Sequence, residues 1–359
     1  MADFDLREEL SMVTPLIAQG AKIYIFGCGA NYQYNCDLYR NVIGVDFTAQ
    51  IDGFIDNDTS KQVTIIKGKP VYSLDDIDNS NSVIIISVLA ANMDIAIQLA
   101  ENGFIFRHSF FMSDEFMNIL MRWEYKRLLP FKNKHKGERC FIIGNGPSLR
   151  AEDLDKLKNE VTFASNKIYL MFDKTEWRPN YYVITDTEVL ESNQNEINRT
   201  IKCPIFFSLN SLTDFNSFTI KNGLFYQSLG NSLWFPPDNR SILFSNEGFI
   251  IYWGATVTYE CIQIASFMGF KEMYLLGMDH NFNTVVTDAG ELRMNAKVIN
   301  HFEKRYSDTK VFKPQFIDTV NAAFRSAEKY SRENGFRIFN ATRGGKLEIF
   351  ERVDFDKLF

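Results

Sequence analysis

The sequence is short of the residues that announce several kinds of site. Its 359 residues hold five cysteines, Cys28, Cys36, Cys140, Cys203 and Cys261, with no CxxC pair and an odd total. Neither a zinc framework nor a disulfide scaffold is expected, and a reduced interior fits best. Positive charge is not in surplus: 39 basic against 45 acidic side chains leave a formal net charge of −6. That balance offers no global footprint for nucleic acid, and no local basic patch replaces it. No apolar run approaches the roughly 20 residues that span a bilayer. The charged opening residues 1–10 carry no secretory apolar stretch, so a soluble cytoplasmic protein is the expectation. Only four tryptophans are present, yet 33 Phe and 15 Tyr raise the aromatic content to 14%. What is there in quantity is globular: 45% hydrophobic and 23% charged residues over a length that suggests two domains.

The first strong strand pattern, Lys22 to Phe26, runs directly into Gly27-Cys28-Gly29-Ala30-Asn31. A strand entering a glycine turn opens a Rossmann-like unit, because glycine lets the backbone turn tightly beneath a helix N-terminus. The third glycine of that fingerprint is missing, with Tyr32 in its place. Gly27 and Gly29 therefore mark either a second nucleotide site or a structural turn. A strand at Ser82 to Ser87 follows, then a helix over 90–102 whose apolar set reads Met93, Ile97 and Ala100. The alternation predicts a small parallel sheet over residues 1–112. Residues 114–129 carry a helical period, with Phe116, Ile119, Leu120, Trp123 and Leu128 apolar and Pro130 ending it. With the basic stretch 132–137, they predict a linker helix and hinge over 113–136.

A second unit, 137–359, opens with the buried-type strand Arg139 to Ile143 and the turn Gly144-Asn145-Gly146-Pro147-Ser148-Leu149. Backbone N–H groups of such a turn can face an anion, and Asn145 and Ser148 add donors; a plain capped turn needs neither Asn145 nor Pro147. The next two strands end in polar groups, at Asn166 and at Asp186. In an open parallel sheet ligands collect at the carboxyl ends of strands, and Asn145, Asn166 and Asp186 all stand there. Further on, Thr256 and Thr258 open a helix running to Met268, where hydroxyls and free N–H groups favour an anion or simply cap the helix. The strand Glu272 to Leu276 leads into Gly277-Met278-Asp279-His280-Asn281. The fold class expected is α/β, two Rossmann-like domains with mainly parallel sheets.

Candidate chemistry is sparse. Of four histidines, His280 and His301 lie in the second unit and suit proton transfer near neutral pH. Asp186 and Asp279 are alternative bases, or ligands for Mg²⁺ if the reaction is metal-dependent; no other cofactor is expected. In the tail, Asn340 and Arg343 follow a strand, where the guanidinium could neutralise a diphosphate or a sugar carboxylate. The middle, 205–249, is rich in Phe, Ser and Asn. Its Phe206, Phe207, Phe215, Phe218, Phe225, Tyr226, Trp234 and Phe235 are expected to stack on an acceptor.

Two resemblances attach to these motifs. Residues 20–112, through "GFIDND" and "GKPVYSLDDI", resemble the small Rossmann-like domain found beside sugar-modifying enzymes of bacterial surface polysaccharide pathways. Residues 137–359, through "FIIGNGPSL", "ASNKIY", "VITD", "GATVTYECIQIASFMGFKEMYLLGMD" and "FRIFNATRGGKLEIFERVDFD", resemble the DUF115 family. That family includes Maf-type flagellin glycosyltransferases and archaeal hydroxymethylpterin diphosphokinases; bacterial CMP-sugar sialyltransferases are similar more distantly. The sialyltransferase pattern implies that Asn145 and Asn166 contact the donor nucleotide, with Gly144, Gly146 and Ser148 in the same turn, and that Thr256 to Thr258 lie near its phosphate. Where that pattern has a catalytic histidine, this chain has Asp318. The resemblance implies a glycosyltransferase moving a sugar from a nucleotide-activated donor, CMP-linked, to a cell-surface glycan or protein. Its alternatives are a diphosphokinase acting from ATP on a pterin alcohol and a non-catalytic nucleotide-sugar binder. Whether the chain forms a homo-oligomer is left open.

Overall fold

The computed structural model describes residues 4–29, 32, 46–88, 92–112, 124–208, 223–229, 242–281, 284–286, 292–294, 301–303, 311–312 and 316–359. Two compact units emerge, Met1–Arg127 and Leu128–Asp214 with Lys221–Phe359. Both are α/β with mainly parallel sheets, as the strand and helix patterns predict.

The first unit contains helix α1 (Leu6–Ser11), strand β1 (Lys22–Phe26), α2 (Phe47–Gln50), β2 (Gly53–Ile55), β3 (Ile65–Ile66), β4 (Lys69–Tyr72), β5 (Ser82–Ile86), α3 (Asn92–Glu101) and β6 (Phe110–Phe111). The sheet order is β3-β4-β2-β1-β5-β6, parallel except between β3 and β4. Ile23, Ile25, Val83 and Ile85 enter one buried cluster, while their neighbours Tyr24, Phe26, Ile84 and Ile86 enter the other. Successive side chains point to opposite faces, so a sheet covered on both sides needs unbroken apolar strands, as these are. Helix α3 corrects the sequence reading. Ile95 and Leu99 are its buried pair, and Met93 and Ile97 are 62% and 53% exposed. Both pairs have a spacing of four, so the helical period permits either stripe; contact with Phe104 and Phe110 selects Leu99.

The second unit is built on β7 (Arg139–Ile143), α4 (Ala151–Lys156), β8 (Val161–Ser165), β9 (Tyr181–Ile184), α5 (Thr187–Thr200), β10 (Ile205–Ser208), β11 (Gly223–Leu229), β12 (Ile250–Tyr252), α6 (Val257–Phe267), β13 (Glu272–Leu276), α7 (Phe316–Glu333), β17 (Arg337–Asn340) and β18 (Glu351–Arg352). Between β13 and α7 a small antiparallel sheet contains β14 (Thr284–Val286), β15 (Leu292–Met294) and β16 (Val311–Phe312). The nine-stranded sheet runs β12-β11-β10-β9-β8-β7-β13-β17-β18, parallel throughout. The chain therefore winds outward from β7 to β12, crosses back, and continues on the other side from β13. Between β7 and β13 lies the topological switch point, where an open sheet leaves a crevice at its carboxyl edge.

Two expectations change here. The middle segment is not irregular where it is described: β10 and β11 are interior strands, and Phe206, Phe207, Phe225 and Tyr226 are each 0% exposed. These aromatics fill the core and cannot stack on an acceptor. Phe215, Phe218, Trp234 and Phe235 lie outside the described residues. The basic stretch 132–137 is anchored rather than a free hinge. Asn133, His135 and Gly137 donate backbone N–H bonds to Phe267, Met268 and Gly269 at 3.0, 2.9 and 3.0 Å. The His135 ring also stacks on Phe270 and meets the Tyr181 hydroxyl at 2.7 Å.

Candidate active site at the switch point of the second unit

The site starts from two turns forced together. Beyond the last residues of β7 and β13 the ladder continues, with Gly144 N–H donating to Leu276 O at 2.8 Å and Gly146 N–H to Gly277 O at 2.9 Å. A Cβ on Gly144 would stand 2.5 Å from the Gly277 oxygen, and one on Gly146 would stand 1.9 Å from Asp279 Oδ2. Both glycines are thus demanded by turn-against-turn packing. The Asp279 carboxylate accepts the Ser148 N–H at 3.3 Å and the Ser148 hydroxyl at 2.7 Å, and its own side chain is buried. Ser148 consequently clamps the turn and does not line the crevice.

Above the turns is a cavity of about 210 Å³ lined by Gly144, Asn145, Gly146, Asn166, Thr256, Thr258, Asp279, His280 and His301 among others. Nine of the residues proposed from sequence therefore converge, eight from the ends of β7, β8, α6 and β13 and His301 from the segment between β15 and β16, although they are scattered over more than 150 positions of the chain. Asn145 is aimed by its Nδ2, which donates to the Ser165 carbonyl at 3.2 Å. Asn166 and His280 adopt left-handed backbone, with φ of +50° and +53°, a conformation Asn and His tolerate better than most residues. Thr256 caps α6, its hydroxyl oxygen accepting the Thr258 N–H at 3.4 Å. The Thr258 hydroxyl leans on Met278 Sδ at 3.3 Å. The positive end of α6 thus opens at the cavity, where an anion is favoured.

The two histidines are set differently. His301 Nδ1 lies 3.3 Å from the Asn145 carbonyl, so Nδ1 carries the proton and Nε2 the lone pair. His280 Nε2 lies 2.8 Å from Asn321 Oδ1 of α7, which places the lone pair on Nδ1. Burial lowers the His280 pKa below its ordinary 6.5, with the Asn321 bond opposing part of that shift. A neutral histidine beside a helix N-terminus is an acceptor for a proton.

Besides Ser148, three sequence candidates of this unit stand elsewhere. Asp186 caps α5, accepting the Val189 N–H at 3.0 Å, and does not line the cavity. Asn340 is fully buried and shapes the tail turn, donating to Leu347 O at 2.7 Å and accepting Thr342 N–H at 3.0 Å. Arg343 is held by Asp153 of α4 through two bonds of 2.9 Å and by Asp356 at 2.7 and 2.8 Å. Those partners hold its pKa above the usual guanidinium range, and they bind the C-terminal tail rather than a ligand. As for Mg²⁺, Asp186 is a helix cap and Asp279 Oδ2 is occupied by Ser148, so these two carboxylates do not make a shared metal site.

Sequence reading missed the far wall. Val320 and Phe324 of α7, Asn281 and Leu347 also line the cavity. The i, i+4 spacing of Val320 and Phe324 was the available signal for the helix face. In the first unit, Gly27 and Gly29 do flank a second cavity, of about 430 Å³, at the carboxyl edge of β1, β2 and β5. Of the two acidic residues that line it, Asp56 and Asp94, Asp56 is already engaged by Cys28, Asp58 and Lys61. Among the described residues, no helix is long and apolar enough to cross a membrane, and none form a group of three or more His, Cys, Asp and Glu suited to a metal ion.

Neither the curated proteins nor the solved structures gave a match. Over residues 113–285, which contain the crevice residues from Gly144 to Asn281 and exclude the first unit's sheet, the chain matches the MptE-like family model, described as 6-hydroxymethylpterin diphosphokinase MptE-like.

Proposed function

We propose that the second unit is a nucleotide-dependent transferase that moves a sugar from a nucleotide-activated donor, CMP-linked, to an acceptor hydroxyl. The observation that supports it is the convergence of Asn145, Asn166 and the α6 N-terminus on one crevice with two histidines. In this reading the two asparagines hold the nucleoside and the Thr256 end of α6 holds the phosphate. The His280 or His301 lone pair takes the acceptor's proton as its oxygen bonds the anomeric carbon. The bond from that carbon to the phosphate oxygen breaks, and the nucleotide leaves with the electron pair. The acceptor, a cell-surface glycan or protein, comes from the glycosyltransferase resemblance of residues 137–359 together with the sugar-linked resemblance of residues 20–112, and the first unit's cavity at Gly27 and Gly29 is read as a second nucleotide site.

A second reading, diphosphate transfer from ATP to a pterin alcohol, is favoured by the description of the matching family. Both are tested by one panel: CMP-, UDP- and GDP-sugars, and ATP with 6-hydroxymethylpterin, with nucleotide release followed by chromatography. Free CMP from a CMP-sugar supports the first reading; AMP and a pterin diphosphate replace it with the second. Binding without turnover, insensitive to replacement of His280 or His301, makes the protein a nucleotide-sugar binder.

A further inference from the structure

Three side chains lining the cavity of the second unit, Asn145, Asn166 and Asn281, each carry an amide oxygen that is shut off from solvent and has no hydrogen-bond partner among the described residues. An acceptor left in that state costs roughly 1–3 kcal/mol. Three around one cavity are therefore unexpected when the buried amides Gln263 and Asn340, among the described residues, are bonded through both oxygen and nitrogen. At Asn145 the orientation is set by the protein, because Nδ2 is already donating to Ser165. All three groups are of one kind: acceptors in want of donors.

We propose that Asn281 joins Asn145 and Asn166 in an acceptor wall that reads hydrogen-bond donors on the base of the nucleotide, selecting a base with an exocyclic amino group over its oxo analogue. The inference rests on the nucleotide reading above and narrows it. An amino group turns two N–H bonds toward the wall, and a small rotation of the Asn166 and Asn281 amides brings their oxygens to them, while Asn145 keeps its bond to Ser165. Uracil offers one N–H flanked by two carbonyls, and those carbonyls would meet amide oxygens, acceptor against acceptor. A site with polar groups built for one edge rejects the analogue that leaves them unpaired.

The test is calorimetric titration of the full-length protein with the pairs CMP and UMP, and AMP and IMP, which exchange the exocyclic amino group for an oxo group and the lone pair on the adjacent ring nitrogen for an N–H. The member with the amino group should bind at least about tenfold more tightly in the pair whose ring fits, and Asn281→Leu, with its melting curve checked, should erase most of that ratio. Equal affinities within both pairs overturn the acceptor wall while leaving the nucleotide reading intact. Binding by none of the four overturns both. If 2′-deoxy-CMP and 2′-deoxy-AMP lose as much affinity as the oxo analogues, the donors are ribose hydroxyls and the base assignment is wrong.

Discussion

Glu260 sits in the first turn of α6, 1% exposed, and the hydroxyl of Tyr226 on β11 donates to its carboxyl group. The groups facing it are that phenol and the thiol of Cys261, itself close to Cys140, and none is a cation. Burial accordingly pushes its pKa from 4.5 to about 8, with the Tyr226 bond pulling the other way. The folded protein keeps the proton where the unfolded chain releases it, so its stabilising contribution is complete below pH 4.5 and is lost as pH rises toward 8. That interval, at about 1.4 kcal/mol for each pH unit, comes to about 5 kcal/mol as an upper figure. Glu260→Gln keeps the shape and cannot ionise. Urea denaturation of both proteins at several pH values should therefore give nearly equal stabilities near pH 5 and a growing advantage for the variant toward pH 8. A difference that stays constant from pH 5 to pH 8 would refute the buried, protonated Glu260.

Three shorter predictions test the site. Gly146→Ala drives a methyl group into Asp279 and should cost roughly 2 kcal/mol or more, read as a lower urea midpoint; a wild-type midpoint means that the two turns do not pack as described. Arg343→Met leaves the buried Asp153 without its cation and should lose roughly 3 kcal/mol while nucleotide affinity of the folded protein is kept. A tenfold loss of affinity with unchanged stability would restore Arg343 as a ligand residue. If His280 is the base, kcat/KM should hold down to pH 6.5 and fall only below it, since burial lowers its pKa and the protonated ring accepts no proton; His280→Gln should abolish that acid limb, and a limb that survives assigns the proton transfer to another group.

Much of the second unit was legible because its signals are local. A buried parallel strand writes itself as an unbroken apolar run, and Arg139–Ile143 and Glu272–Leu276 emerge at the expected residues. The glycines and asparagines at strand ends follow the rule that ligands gather at carboxyl edges, so the crevice residues from Gly144 to His280 could be named in advance. The failures share one cause as well. Arg343 looks the same in sequence whether its fork meets a phosphate or Asp153, and Asp186 looks the same as a base or as a helix cap. Phe206 and Phe207 appear as two aromatics in a polar stretch until β10 is seen between β9 and β11.

Composition, strand periodicity and turn chemistry by themselves determined an α/β chain with two parallel sheets, and which turns carry polar groups at their ends. They could do so because each depends on residues within a few positions of one another. Only the tertiary structure decided partners. It put β13 beside β7 across an intervening 128 residues, committed Ser148 to Asp279 and Arg343 to Asp153, and brought α7 up to wall the crevice. A side chain's role is set by whatever long-range packing places within hydrogen-bonding reach of it, and that distance is not written in the spacing of the chain.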